Sequence, residues 1–225
     1  MSYDLCIKSE ELIIYCSRGL KDLSYGFIDY YSNHIEFIKN VFGLRESIKV
    51  EIYLTDDEKN VNFVYGKSSF SGFFTEFGVF AYVDITGDKP NIYIIKGLMH
   101  ELIHHLYKYY VYGPDNERIT WVDEGIAQLF SGQKDEFKDN IKYSSFVKDN
   151  MKSISDFNLN LLNHNDRSFG NCNGYNLSYI AIRYLYENNS YEEFMRIIKN
   201  KELLLNYGAK ILDSINEEFG INMSF

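Results

Sequence analysis

The side chains best suited to chemistry lie in one short segment, residues 100–104, which reads HELIH. Apolar residues on both sides of it recur at helical spacing, so we predict that the segment lies on a helix. Residues i and i+4 of a helix lie one turn apart on the same face, and the imidazoles of His100 and His104 can therefore reach one cation. Glu101 is turned about 100° away around the helix axis, where its carboxylate can contact a water on the metal rather than the metal itself.

A zinc site that keeps one position open for water has three protein ligands, and the two histidines supply two of them. The third ligand must come from another part of the chain. A second segment with helical apolar spacing, residues 121–127 (WVDEGIA), contains Glu124, and nineteen residues separate it from His104. The turn sequence between the two segments, YGPDN at 112–116, is able to bring them back side by side.

The combination of HExxH, a nineteen-residue gap and WxxEG resembles the gluzincin metallopeptidases, the group of the thermolysin-like and M1 aminopeptidase-like enzymes. The resemblance implies a compact peptidase-MA-like catalytic core that holds one zinc ion, Zn2+. It also implies that His100, His104 and Glu124 bind the metal and that Glu101 is the general base.

A further segment, YNLSYIAIRYL at 175–185, is similar to the helix that follows the ligand glutamate in M1-like enzymes. In those enzymes a tyrosine hydroxyl supports the tetrahedral oxyanion. Tyr175 is the matching position, and Tyr179, one helical turn later, is the alternative. The chain departs from the family at Gln128, where thermolysin-like enzymes often have an aspartate that orients a ligand histidine, and at 72–76, where GFFTE replaces the aminopeptidase GxMEN motif.

The elements that must position these residues follow from the hydropathy pattern. We predict strands within 12–16, 48–54, 70–83 and 91–95, and a helix at 20–42 that ends at Gly43. Helices are predicted for the rest of the chain, at about 96–110, 120–132, 134–150, 174–188, 191–199 and 207–219.

This order of elements predicts an α+β fold in a single catalytic domain, 1–225. Its N-terminal lobe, about 1–95, would contain a small mixed β-sheet, and its C-terminal lobe, about 96–225, would be all-helical. The resemblance implies a zincin-like arrangement with the active-site cleft between the lobes.

Composition limits the partners and the compartment. The net charge of −9 and the pI near 5.1 disfavour nucleic-acid and membrane binding, so we expect a peptide or unfolded-protein substrate, with the oligomeric state open. The three cysteines, Cys6, Cys16 and Cys172, have no CxxC spacing and predict neither a disulfide framework nor a cysteine zinc site. We see no leader-like start and no apolar run of membrane-spanning length, and therefore expect a soluble, cytoplasmic protein.

The sequence thus predicts a zinc-dependent metallopeptidase that hydrolyses peptide bonds with a metal-activated water and a glutamate base. Two alternatives stay open at this stage. One is a non-catalytic zinc- or peptide-binding module with a zincin-like fold, and the other is a zinc hydrolase of a non-peptide amide. Glu101 favours an enzyme over the binding module, because a purely structural zinc site needs no base.

Overall fold

The computed structural model describes residues 4–58, 70–86, 91–152, 158–164 and 168–221. The chain divides into two compact units, Met1–Tyr110 and Val111–Phe225. A mixed sheet lies in the N-terminal half and helices follow it, which confirms the predicted α+β class. The single catalytic domain stays a prediction.

The sheet of the first unit has five strands in the order β1-β2-β3-β5-β4. They are β1 (Asp4–Lys8), β2 (Leu12–Cys16), β3 (Val50–Thr55), β4 (Phe70–Thr75) and β5 (Gly78–Val83). The three central strands are parallel, whereas β1 and β4 pair antiparallel with their neighbours at the two ends. Among the described strands, β4 therefore forms one edge of the sheet.

Two long helices cover this sheet. Parallel neighbours need a crossover connection, and α1 (Lys21–Phe42) provides it between β2 and β3. As predicted, α1 ends at Gly43, whose φ of 66° lets its N–H bond the carbonyls of Lys39 and Asn40. The second helix, α2 (Asn91–Leu106), packs on β4, β5 and α1, and continues as a π-helical segment, Tyr107–Tyr112.

The elements of this unit differ from the prediction in three places. Residues 91–95 form the first turn of α2 and not a strand, because the burial of Ile94 and Ile95 continues the buried face of that helix. Strand β1 was not predicted. The stretch 70–83 is two strands joined by a two-residue turn, and Gly72 lies inside the first of them, β4.

The second unit is helical in its described residues. Its helices are α3 (Thr120–Phe130), α4 (Asn140–Met151), α5 (Ser168–Asn171), α6 (Gly174–Glu187), α7 (Tyr191–Ile198), α8 (Lys201–Gly208) and α9 (Ile211–Phe219). The predicted helix at 207–219 is in fact α8 and α9, and α4 begins six residues later than predicted. At that start Asp139 caps the N–H groups of Ile141 and Lys142.

The cysteines differ from expectation. Cys16 on β2 is disulfide-bonded, and Cys172 is free and exposed. A single disulfide forms wherever the fold brings two thiols together and needs no spacing motif, so the cysteine spacing could not predict it. The disulfide at Cys16 weighs against the expected cytoplasmic location, because disulfides are rare in cytosolic proteins.

Candidate metal centre

The two histidines of the HELIH segment lie on the buried face of α2. Leu98, Leu102 and Ile103 are fully buried and hold this part of the helix in the core. His100 and His104 are also buried, and their Nε2 atoms are 2.9 Å apart, with the rings perpendicular. The predicted placement of both imidazoles on one helical face is therefore confirmed.

Strand β4 supports this face of α2. The ring of Phe74 stacks on His104 with centroids 5.3 Å apart. His105 takes no part in the pair, because its Nδ1 bonds the carbonyl oxygen of Thr75 at 2.8 Å. Burial lowers the pKa of His105, and the bond to Thr75 opposes that shift. His105 thus ties α2 to the end of the edge strand.

Glu101 lies on the same helix but is only partly buried, and it faces β4. A Cβ atom added at Gly72 of that strand would come within 2.7 Å of the Glu101 Cγ and 3.1 Å of its Cδ. The base predicted from sequence therefore occupies space that only a glycine at position 72 leaves open.

Glu124 lies on α3 and is almost fully buried, as is its neighbour Asp123. Arg118, which precedes the helix, donates from Nη2 to Oε1 of Glu124 at 3.0 Å and from Nε to Oδ2 of Asp123. The Nε2 atom of His164 bonds the same Glu124 oxygen at 2.9 Å. Two donors thus meet on one carboxylate oxygen.

His100, His104 and Glu124 form a group that can hold a metal ion. Each offers one ligand atom, and these atoms lie within 4.8 Å of one another. The structure thus brings together the three ligands predicted from the sequence.

The donor set fits zinc. Two imidazole nitrogens and one carboxylate oxygen are the protein ligands of many catalytic zinc sites. Two nitrogens on one tetrahedral zinc are about 3.3 Å apart, so His100 and His104 need to separate by only a few tenths of an ångström. Within the described ranges no further His, Cys, Asp or Glu joins the group.

The two candidate tyrosines of α6 have different environments. Tyr175 is exposed, and its ring lies against Phe169 and His164, with centroids 4.9 and 5.7 Å away. Tyr179 is buried, and its hydroxyl accepts a hydrogen bond from Nη1 of Arg183 at 3.2 Å. Of the two, Tyr175 is the one whose side chain reaches solvent.

Gln128 is bonded to α6. Its Nε2 donates to the carbonyl oxygen of Tyr175 at 2.8 Å. The side chain that departs from the thermolysin-like pattern thus fixes the backbone at the start of α6, next to one of the candidate tyrosines.

Arg118 and His164 are the residues that the sequence did not single out. Arg118 lies six residues before Glu124, but an arginine near an acidic pair is too common a pattern to identify a site. His164 is forty residues away, and only the fold brings it to the carboxylate.

No family model matches this sequence, and no curated protein matches it. The residues of the candidate metal centre are therefore the evidence for a function. None of the described helices has both the length and the apolar character needed to cross a bilayer.

Proposed function

We propose that this protein is a zinc-dependent metallopeptidase of the gluzincin type. The observation that carries the proposal is the buried group of His100, His104 and Glu124, together with Glu101 on the turn of α2 that bears the histidines. A zinc ion held by these three residues supplies Lewis-acid polarisation of a carbonyl oxygen and a water with a lowered pKa.

Glu101 is the proposed general base. Water adds to the scissile carbonyl carbon while the Glu101 carboxylate accepts one of its protons, and the same group then delivers that proton to the departing nitrogen as the C–N bond breaks. The products are a carboxylic acid and an amine. Partial exposure of Glu101 suits this role, because the carboxylate must meet both water and substrate.

Tyr175 is the proposed donor to the developing oxyanion. A hydroxyl that bonds this oxygen stabilises the transition state more than the ground state and so accelerates the reaction. The exposure of Tyr175 favours it over Tyr179, whose hydroxyl is engaged with Arg183.

Strand β4 is the proposed docking edge for the substrate. It ends the described part of the sheet, and its residues Gly72 and Phe74 lie against Glu101 and His104. An extended peptide can add to such an edge through main-chain hydrogen bonds. This placement favours a peptide substrate over a small amide.

The proposal is tested with the substitution Glu101→Gln, which keeps the shape of the side chain and removes its basicity. The zinc-loaded protein and the variant are incubated with a diverse peptide library and, separately, with small non-peptide amides. We expect the wild-type protein to cleave peptides and the variant to bind one zinc per chain without turnover. Glu217→Gln, at an exposed position of α9, is the matched control and should retain full activity.

The outcomes separate the candidate functions. Full turnover by Glu101→Gln excludes Glu101 as the base, and cleavage of the small amides alone favours the non-peptide hydrolase. Zinc binding with no hydrolysis of either substrate class favours the binding module. Elemental analysis of His104→Ala and Glu124→Ala checks the ligands, and unchanged zinc content in both would refute the ligand set.

The cytoplasmic location is a separate proposal. The acidic composition is compatible with this location, whereas the disulfide at Cys16 weighs against it. Fractionation of cells that express the native protein decides between the compartments.

A further inference from the structure

Two side chains that the proposed reaction does not use form hydrogen bonds with Glu124. Nη2 of Arg118 and Nε2 of His164 lie 3.0 and 2.9 Å from Oε1 of Glu124. A carboxylate oxygen accepts hydrogen bonds, and the tautomer of His164 that carries hydrogen on Nε2 is the one that can donate to it. Both contacts fall on the same oxygen.

Each of the two donors has a second contact that holds it in position. The guanidinium of Arg118 is anchored a second time by Asp123, a carboxylate whose side chain is 3% exposed. The ring of His164 lies 4.4 Å from that of Phe169, which is fully buried. Each donor is thus held by a second partner in the interior of its own unit.

We propose that Arg118 and His164 are positioning residues for the metal, which fix the Glu124 carboxylate so that its Oε2 atom is the ligand. Two donors on Oε1 stop the carboxylate from rotating, and the positive charge of Arg118 lies beside the buried carboxylate and holds it in place. Such outer partners orient a ligand and raise metal affinity. The inference rests on the proposed function, because it assumes that Glu124 binds zinc.

The test measures zinc affinity by competition with a chromophoric chelator at fixed pH, and so needs no substrate. We expect Arg118→Gln and His164→Phe each to weaken zinc binding by about 10–100-fold. His164→Gln, which restores an N–H donor, should recover part of the loss. Arg196→Gln and His34→Phe change the same residue types at sites bonded elsewhere, to Glu193 and to the Tyr30 carbonyl, and should leave the affinity unchanged.

A Glu124→Ala background separates positioning from general support of the fold. If Arg118 and His164 act through Glu124, their substitutions should cause no further loss of the residual zinc affinity in that background. A merely structural role would still weaken binding there. Circular dichroism monitors folding, and Arg118→Lys replaces Arg118→Gln if the latter does not fold.

Two failures are distinguishable. A wild-type chain that binds no zinc overturns both the proposed function and this inference. If the wild-type chain binds one zinc, and Arg118→Gln and His164→Phe both bind it with wild-type affinity, the positioning inference is overturned while the ligand set stands.

Discussion

The contact between Gly72 and Glu101 ties the proposed base to a single backbone position. In a strand interior glycine is unfavourable, since it offers no side chain to pack and costs backbone entropy. Here any Cβ would overlap the Glu101 side chain at 2.7 Å, so the glycine has a specific spatial reason. The contact partner is a side chain rather than backbone, which means that Glu101 can move away.

We therefore expect Gly72→Ala to change catalysis more than folding. The methyl group should displace the carboxylate of Glu101 and lower kcat by about 10–100-fold, the size of effect expected from a small misplacement of a reacting group. Zinc stoichiometry should remain one per chain, because the atoms nearest to a Cβ at position 72 belong to Glu101 and Phe70 and not to the two histidines. Steady-state kinetics and elemental analysis measure the two quantities.

Gly170→Ala is the control for this substitution, since nothing lies within 4 Å of a Cβ at that position. A wild-type kcat in Gly72→Ala would show that Glu101 does not depend on this space. Loss of zinc together with activity would point instead to a general disturbance of α2.

Helices α3 and α6 cross at Gly125, where a glycine again leaves space for a close neighbour. Here the nearest neighbouring atom belongs to the backbone of α6 and not to a side chain. A Cβ at Gly125 would lie 2.3 Å from the carbonyl oxygen of Ser178 and 2.5 Å from Cγ1 of Ile182. Alanine is favoured over glycine by about 1 kcal/mol in a helix interior. The close approach of the two helices is the reason that glycine suits this position.

We expect Gly125→Ala to lower the free energy of unfolding by about 1–3 kcal/mol, because the helices must move apart to accept the methyl group. Urea denaturation followed by circular dichroism measures the change. Gly170→Ala again serves as the control and should stay close to the wild-type midpoint. A Gly125→Ala protein of equal or greater stability would mean that helix propensity outweighs the overlap.

The start of α2 was predicted as a strand and is helical. Its first residues, NIYII, are β-branched and aromatic, a composition typical of strands. The burial of Ile94, Ile95, Leu98 and Leu102 nevertheless follows a helical face, and a short apolar run does not by itself distinguish the two. Packing on β4, β5 and α1 decided the outcome.

At the scale of the whole molecule, zinc binding and folding stability should be linked. The ligand atoms are brought together only in the folded chain, so a metal that binds the native state raises its stability. At a hundredfold excess over Kd the gain is about 2.7 kcal/mol, which for a chain of this size raises Tm by roughly 5–10 °C.

A thermal scan with zinc and with a chelator measures this shift. His104→Ala should show no zinc-dependent change, and magnesium should not replace zinc because it prefers oxygen ligands. An identical Tm with and without zinc, or an equal shift in His104→Ala, would contradict a site built from these residues.

The sequence by itself determined the local parts of this protein. The positions of His100, Glu101 and His104 around α2 follow from the 3.6-residue period, and the ends of α1 and β2 follow from Gly43 and from a short apolar run. Glu124 was found because it lies in a recognisable segment of its own. Each of these features depends on residues that lie close together in the sequence, so the local sequence pattern is enough to predict it.

Only the tertiary structure decided which side chains surround the candidate site residues. Gly72 beneath Glu101, Ser178 against Gly125, and His164 on Glu124 are contacts between residues that are 29, 53 and 40 positions apart in the sequence. These contacts depend on how the strands pair and how the helices cross, and a periodic sequence pattern does not predict either. The sequence therefore predicted the candidate ligands and the base, whereas the fold determined what holds them in place.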